Sequence, residues 1–247
     1  MSSSSIQWET PELPVELPKN QIHVWRANLP MRSANQLLPS SFLSEDEMAR
    51  ALRFHFDRDR IRFIVARGTL RMVLASYLNI SPVDVRFRYE EYGKPTLDFG
   101  LQVDVLNFNL SHSGDVALFA VGWERKIGID IERIQEDFGG MDVASRYFSI
   151  SELKSLLSLP SELRPLGFFN GWTRKEAYVK ARGDGLQLRL DSFDVTLAPE
   201  TRPQFLRGVS EDWQLVSVFV KPSFAAALVY NGFPCEIRFL EASPPIA

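Results

Sequence analysis

The chain has 247 residues, of which 45% are hydrophobic and 24% charged, the balance of an ordinary globular protein. This length allows one large domain or two small ones, each with a buried core. The formal net charge of −3 provides no overall basic field for nucleic acid, so any site for an anion must be local.

Cysteine content and the chain start indicate a compartment. The single cysteine, Cys235, excludes an intrachain disulfide and fits a reducing environment. The serine-rich start lacks the basic and apolar regions of a secretory signal. No apolar run approaches the roughly 18 residues of a membrane helix. We therefore expect a cytoplasmic protein that binds neither membrane nor nucleic acid.

Apolar spacing predicts a similar order of elements twice along the chain. In the first part we predict a strand over 21–29, helices from Ser44 and over 58–78, and strands over 83–89, 107–111 and 116–122. In the second we predict a strand over 126–132, helices over 141–147, 150–158 and 163–182, and strands over 192–197, 213–220, 224–230 and 236–240.

This order predicts an α+β fold, a pseudo-dimer of two similar halves with the active site between them. The halves are predicted at 20–122 and 123–247, after a flexible lead-in over 1–19 that is rich in serine and proline.

A first chemical motif is Gly-Ile-Asp-Ile-Glu at 128–132. Asp130 and Glu132 lie two residues apart in a predicted strand, so both side chains point to one face. Such a pair is commonly a solvent-facing strand edge. Here the opposite face is apolar and two unpaired carboxylates would repel, so we favour a bound cation. Oxygen ligands of this kind suit Mg²⁺.

A second motif is Trp-Thr-Arg-Lys-Glu-Ala-Tyr-Val-Lys at 172–180. Glu176 and Lys180 are four residues apart, so they share one face of a helix. Alone they would be an ordinary helical ion pair, worth about 0.2–0.5 kcal/mol. Beside a strand bearing two carboxylates, they could help to hold Mg²⁺ and a phosphorylated substrate.

Two further groups could bind phosphate. His112 lies between two serines at a predicted strand end, where it either caps a turn or donates to a phosphate. The segment 50–71 contains seven arginines, most of which we expect to be a solubilising helix face. One or two reaching a cleft would make bidentate phosphate contacts. These arginines are Arg50, Arg53, Arg58, Arg60, Arg62, Arg67 and Arg71.

Taken together, the motifs resemble the surfactin-type 4′-phosphopantetheinyl transferases. The matching segments are Tyr-Gly-Lys-Pro at 92–95, Asn-Leu-Ser-His-Ser at 109–113, and the motifs at 128–132 and 172–180. Weaker matches are Arg-Tyr-Phe-Ser at 146–149 with Glu152, and Gly-Asp-Gly-Leu at 183–186. The resemblance spans roughly residues 44 to 197, and it is specific because all four main motifs occur in order.

The resemblance implies a reaction. The family moves the phosphopantetheine arm of coenzyme A onto a serine of an acyl or peptidyl carrier protein and releases adenosine 3′,5′-bisphosphate. Members of the long class are expected to be monomers of two α+β halves, with coenzyme A and Mg²⁺ between them. Mn²⁺ is an alternative ion, since it also takes oxygen ligands.

Carried over by residue, the resemblance implies these roles. Asp130, Glu132 and Glu176 would bind the metal, and Glu176 would also help to deprotonate the incoming serine. Lys180 would stabilise or protonate the departing bisphosphate. The residues expected to contact coenzyme A are Arg50, Arg62, Gly93, Lys94, Pro95, Asn109, Ser111, His112, Lys175 and Lys180. Position 47 is basic in some relatives but is Glu47 here.

The partner and the rival functions complete the prediction. A carrier protein of this class is generally acidic, so it must dock on a local patch. Candidate patches are 139–148, with Arg146, Tyr147 and Phe148, and the pair Phe168 and Phe169, which we interpret rather as core. One alternative is a non-catalytic coenzyme A-binding protein on the same fold. Another is a different Mg²⁺-dependent transferase, but no Gly-x-x-x-x-Gly-Lys-Ser/Thr loop is present.

Overall fold

The computed structural model describes residues 6–29, 39–98, 105–135, 140–183 and 185–243. Its fold is a mixture of helices and mainly antiparallel sheets, which confirms the predicted α+β class. No helix within these ranges is long and apolar enough to cross a membrane.

The first half begins with a strand and two helices and ends with two long strands. Its elements are β1 (Gln21–Asn28), α1 (Glu45–Ala51), α2 (Asp57–Leu78), β2 (Phe87–Tyr89), β3 (Pro95–Leu97), β4 (Leu106–Ser113) and β5 (Val116–Trp123). The helix predicted from Ser44 begins with a capping box, in which the Ser44 N–H donates to Glu47 at the start of α1.

The second half repeats this order. Its elements are β6 (Ile127–Arg133), α3 (Gly140–Tyr147), α4 (Ile150–Ser158), α5 (Arg164–Arg182), β7 (Asp194–Val195), β8 (Phe205–Arg207), β9 (Trp213–Ser217) and β10 (Phe224–Asn231), followed by β11 (Glu236–Glu241). Helix α5 ends at Gly183, whose φ of 83° is the left-handed conformation that glycine adopts without strain.

Each half pairs its strands in the same order. The first sheet runs β11-β1-β5-β4 and the second runs β6-β10-β9, so in each half the first strand pairs with the last. The short hairpins β2-β3 and β7-β8 follow the long helices α2 and α5 in turn. This repeated topology confirms the two similar halves predicted from the sequence.

The core has three parts. Helix α2 packs on one face of the first sheet around Trp25 and Phe119, and α5 packs on the second sheet around Phe168 and Phe193. The remaining faces of the two sheets pack on each other through residues such as Ile22, Leu118, Ile129, Ile131 and Leu228. The layers are therefore helix, sheet, sheet and helix, with the two sheets holding the halves together.

The chain ends return to the first sheet. Strand β11 pairs in parallel with β1, and Glu9, in the described part of the lead-in, bridges to Leu240. Residues 1–5 lie outside the described residues. The predicted boundary between the two halves at 122–123 stays a prediction. Strand β11 lies after this boundary in the chain but pairs with β1 of the first half.

The predicted elements agree with the structure except where strands are short. The segment predicted as a strand over 83–89 begins with a 3-10 turn at Pro82–Asp84, and only β2 is extended. The strand predicted over 192–197 is reduced to the two residues of β7. Strands β3 and β8 were not predicted, because three residues carry too little periodic signal.

Candidate active site

A cleft between the halves contains most of the predicted site residues. Two adjoining cavities of about 290 Å³ each form it, and both are lined by Gly93, Pro95, Leu110 and Lys180. The turn between β2 and β3, the end of β4 and the face of α5 provide its walls.

Side chains of β4 join the two sheets at the floor of this cleft. The Asn109 Oδ1 accepts the Ile129 N–H at 2.8 Å, and the Ser111 Oγ donates to the Asp130 Oδ1 at 2.8 Å. One further contact links Ser113 Oγ to the Glu132 Oε2 at 2.9 Å. Because β4 and β6 are edge strands, these side chains replace a main-chain ladder between the sheets.

Lys180, on α5, makes further contacts with these side chains. Its Nζ donates to the Asp130 Oδ1 at 2.6 Å and to the Ser111 Oγ at 3.0 Å. The other carboxylate oxygen of Asp130, Oδ2, is buried and has no hydrogen-bond partner in the described residues. A buried acceptor of this kind costs free energy unless something binds it.

The negative charge of Asp130 acts on two further carboxylates, those of Glu132 and Glu176. Burial first, and then the charge of Asp130, raise the pKa of Glu176. The same two causes raise the pKa of Glu132, although Ser113 donates to it. The Glu176 carboxylate has no hydrogen bond or ion pair within the described ranges and faces the cleft. The charge of Asp130, whose Oδ2 is unsatisfied, thus acts on two neighbouring carboxylates, Glu132 and Glu176.

The chemistry of these donors suits a divalent cation. Among the described residues, no group of three or more His, Cys, Asp or Glu side chains is placed so that it could hold a metal ion. However, a cation would satisfy the buried Asp130 Oδ2 and relieve the repulsion that raises the pKa of Glu132 and Glu176. Carboxylate oxygens are ligands that Mg²⁺ prefers.

Gly128 explains how α5 comes so close to the carboxylates of β6. A Cβ at this position would lie 2.4 Å from the Ala181 backbone nitrogen and 2.0 Å from the Ala177 carbonyl oxygen. No side chain fits there, so the glycine of the motif at 128–132 is required by packing. The close approach brings Lys180 within hydrogen-bond distance of Asp130.

The cationic side of the cleft comes from α1, α2 and β4. Arg50 and His112 line the cavity that contains Lys180, and His112 lies at an exposed position. Partial desolvation, followed by the charges of Lys180 and Arg62, lowers the pKa of His112. Arg62 is thus close enough to act on His112, and it also lies 3.9 Å from Asp59. These residues give this side of the cleft its basic side chains.

Lys175 was predicted to contact phosphate, and this prediction is wrong. The side chain is fully buried on another face of α5, where its Nζ lies 2.8 Å from Glu152. It also donates to the carbonyls of Leu190 and Phe193. Lys175 therefore fixes α5 to its neighbours and cannot reach the cleft.

Glu47 also pairs with two arginines of α2, a contact that the sequence did not reveal. Its carboxylate is buried and accepts hydrogen bonds from Arg67 and Arg71 of α2. These arginines outweigh the effect of burial and lower the pKa of Glu47. The acidic residue at this position hence does not point into the phosphate cleft.

Sequence reasoning missed Ser113, although a signal existed. Residues Asn109, Ser111 and Ser113 alternate on one face of β4, and the period of two places all three toward β6. Ser113 also accepts the Arg133 N–H at 3.0 Å. Its hydroxyl therefore orients the Glu132 carboxylate.

The two candidate docking patches differ in exposure. Phe168 and Phe169 are buried core residues, as interpreted from the sequence. Arg146 and Tyr147 are exposed, whereas Phe148 is buried. Gly139 and Asp184 lie outside the described residues.

Comparison with models of protein families shows which family the chain belongs to. Residues 30–123 match the model of the 4′-phosphopantetheinyl transferase N-terminal region, and residues 126–229 match that of the 4′-phosphopantetheinyl transferase superfamily. The chain belongs to the 4′-phosphopantetheinyl transferase superfamily.

Two relatives with similar sequences agree with this assignment. The chain is 39% identical over 223 residues to the 4′-phosphopantetheinyl transferase HetI of Nostoc sp., covering 90% of this chain and 93% of the relative. It is 33% identical over 157 residues to Sfp of Bacillus subtilis, covering 64% of this chain and 67% of Sfp. Among solved structures, a Bacillus anthracis holo-(acyl-carrier-protein) synthase in complex with CoA matches at 23% identity and a TM-score of 0.35, covering 43% of this chain and 94% of that one.

Proposed function

We propose that this protein transfers the 4′-phosphopantetheine arm of coenzyme A to a serine of apo acyl or peptidyl carrier proteins, with Mg²⁺ as cofactor. The observation that carries the proposal is that Lys180, Asp130, Glu132 and Glu176 come together at one cleft. The side of this cleft that carries Arg50 and His112, called the basic wall below, lies beside them. Family membership supports the transfer itself.

Asp130, Glu132 and Glu176 are the proposed holders of the metal ion. Mg²⁺ or, alternatively, Mn²⁺ would supply positive charge to the pyrophosphate of coenzyme A. Ser111 and Ser113 hold two of these carboxylates by direct hydrogen bonds. Their orientation is therefore set before any ligand binds.

Glu176 and Lys180 are the proposed acid–base pair. A serine hydroxyl is a poor nucleophile until a base takes its proton, and the Glu176 carboxylate faces the cleft that such a serine would enter. The Lys180 ammonium can turn from Asp130 to the departing phosphate, which gains negative charge as the bond to phosphorus breaks.

The basic wall is the proposed site for the rest of coenzyme A. Arg50, His112 and Ser111 line one cavity, and Gly93 and Pro95 border both. Arg62 is proposed to add charge from α2, because its charge already acts on His112. Asn109 supports this wall from below through its bond to Ile129.

The biological setting is proposed from the family alone. We propose a cytoplasmic monomer that activates carriers of fatty acid, polyketide or nonribosomal peptide synthesis. The physiological carrier determines which of these pathways the protein serves.

The test is intact-mass spectrometry of an apo acyl carrier protein and an apo peptidyl carrier domain. Each is incubated with this protein, coenzyme A and Mg²⁺, with and without chelator. We expect a phosphopantetheine mass gain that the chelator abolishes. A protein that binds coenzyme A but modifies neither carrier would instead favour the non-catalytic alternative.

A further inference from the structure

Lys94 belongs to the Tyr-Gly-Lys-Pro turn and lines one cavity of the cleft, but its ammonium binds main-chain oxygens. Its Nζ donates to the Lys180 carbonyl at 2.7 Å, and to the Ala181 and Ile127 carbonyls at 3.4 and 3.5 Å. Lys180 and Ala181 are in the last turn of α5, and Ile127 begins β6. The ammonium of a first-half residue is therefore bound by three main-chain oxygens of the second half.

These contacts answer a requirement of the helix end. The last four carbonyls of an α-helix have no partner within the helix. In α5 the Gly183 N–H satisfies only the Val179 carbonyl, while Lys94 satisfies the next two. A cation here also complements the negative end of the helix dipole. Burial lowers the pKa of Lys94.

The two glycine turns on either side reinforce the same junction. Gly93, with φ of 79°, allows the tight turn in which the Glu90 N–H donates to the Lys94 carbonyl. A Cβ at Gly185 would lie 2.8 Å from the Cβ of Tyr92. The turn after α5 thus packs directly on the turn between β2 and β3.

We infer that Lys94 is a positioning residue that fastens the β2–β3 turn of the first half to the end of α5, and thereby holds Lys180 against Asp130. The Lys180 main chain is fixed by Lys94, and its side chain then reaches Asp130 at 2.6 Å. The same turn borders the proposed coenzyme A cavities. The kinetic part of this inference rests on the proposed function, whereas the structural part does not.

The structural test is hydrogen exchange of the last turn of α5 in the full chain. The variant Lys94→Met keeps the length of the side chain but removes its donors. We expect amides near Gly183 to exchange about tenfold faster in this variant, because the freed carbonyls allow the helix end to open. The control is Lys126→Met. Lys126 is exposed, lines the neighbouring cavity with Lys94, and has no side-chain hydrogen bond in the described segments. Unchanged exchange in Lys94→Met would overturn the inference.

The kinetic test separates positioning from ligand contact. For Lys94→Met we expect kcat to fall about tenfold or more, because small misplacements of catalytic groups are costly. We expect the KM for coenzyme A and the Kd for adenosine 3′,5′-bisphosphate to change less than about threefold, since no contact is lost. Lys94→Arg, which keeps donors, should recover most of the rate. A tenfold weaker Kd with unchanged kcat would show that Lys94 binds coenzyme A directly and would overturn the inference.

A double-mutant comparison tests whether Lys94 acts through Lys180. Residual transfer by Lys180→Ala is measured by overnight mass spectrometry, with and without Lys94→Met. If Lys94 acts through Lys180, the second change should cost less than about threefold in this background. Losses that multiply would contradict the inference. If the wild-type protein transfers nothing, the proposed function fails, and hydrogen exchange alone decides the role of Lys94.

Discussion

Each half contains a buried ion pair at the equivalent place, and each pair fixes the long helix of its half. In the first half, Glu47 completes a capping box and pairs with Arg71, which also binds the carbonyls of Pro82 and Val85. In the second half, Glu152 completes a capping box and pairs with Lys175, which likewise binds two carbonyls around a 3-10 turn. Both pairs fix a long helix to the elements beside it.

The halves differ in what the first strand presents to that helix. On β1, the residues facing α2 are His23, Trp25 and Ala27, all buried. On β6, the residues facing α5 are Gly128, Asp130 and Glu132. One strand–helix interface is filled by large side chains, and the other combines a close helix approach with two carboxylates.

This difference separates folding from chemistry. The first half buries its interface and provides basic residues at the edge of the cleft. The second half keeps charged groups at the equivalent interface, where burial and mutual repulsion raise the pKa of Glu132 and Glu176. The two halves thus share a topology, but only the second has carboxylates at its strand–helix interface.

The largest expected effect comes from neutralising the catalytic interface. Asp130→Asn keeps the shape of the side chain but removes its charge, so transfer should fall by about a thousandfold or more while the unfolding transition stays near wild type. Mass-spectrometric rates on an apo carrier measure this. Asp142→Asn, on the exposed start of α3, is the matched control. Normal transfer by stably folded Asp130→Asn would sink the metal assignment.

Breaking the shared ion pairs should damage both halves alike. Glu47→Gln and Glu152→Gln each leave a buried cation without its charge partner, which costs about 3–5 kcal/mol of unfolding free energy. Urea unfolding measures this, with the exposed Glu162→Gln as control. A large loss of unfolding free energy in only one of these two variants would show that the two ion pairs are not equivalent.

A side chain at position 128 would occupy the space where α5 approaches β6. The β6–α5 interface should then resemble the side-chain-filled β1–α2 interface. In Gly128→Ala the new methyl group meets the backbone of α5, so we expect a loss of about 1–3 kcal/mol in stability together with reduced transfer. Thermal unfolding and carrier modification are the measurements. Wild-type values for both would mean that α5 does not lie this close to β6.

The smallest effect concerns His23 at the structural interface. Burial lowers its pKa to about 4, so between pH 6.5 and 4 the unfolded chain binds a proton that the folded chain does not. The contribution of neutral His23 is complete above pH 6.5 and declines as pH falls toward 4, by at most about 3 kcal/mol.

His23→Gln isolates this contribution, because other groups titrate in the same range. The difference in unfolding free energy between wild type and variant should shrink as pH falls from 6.5 to 4. A constant difference would show that His23 is not buried in its neutral form.

The sequence predicts the long elements and the four motifs, because strong periodicity and specific residue spacing carry them. It does not predict the role of Lys175, since a lysine beside Glu176 looks like a phosphate ligand until the helix rotation is known. Glu47 is similar: only the structure shows Arg67 and Arg71 beside it. The return of β11 to the first sheet is a long-range pairing that no local pattern encodes.

The most direct test of the central claim is Mn²⁺ binding measured by electron paramagnetic resonance in the presence of coenzyme A. The account predicts one bound ion per wild-type chain, an affinity at least about tenfold weaker in Asp130→Asn, and no change in Asp142→Asn. Equal Mn²⁺ affinity in wild type and Asp130→Asn would contradict a metal site at the β6–α5 interface.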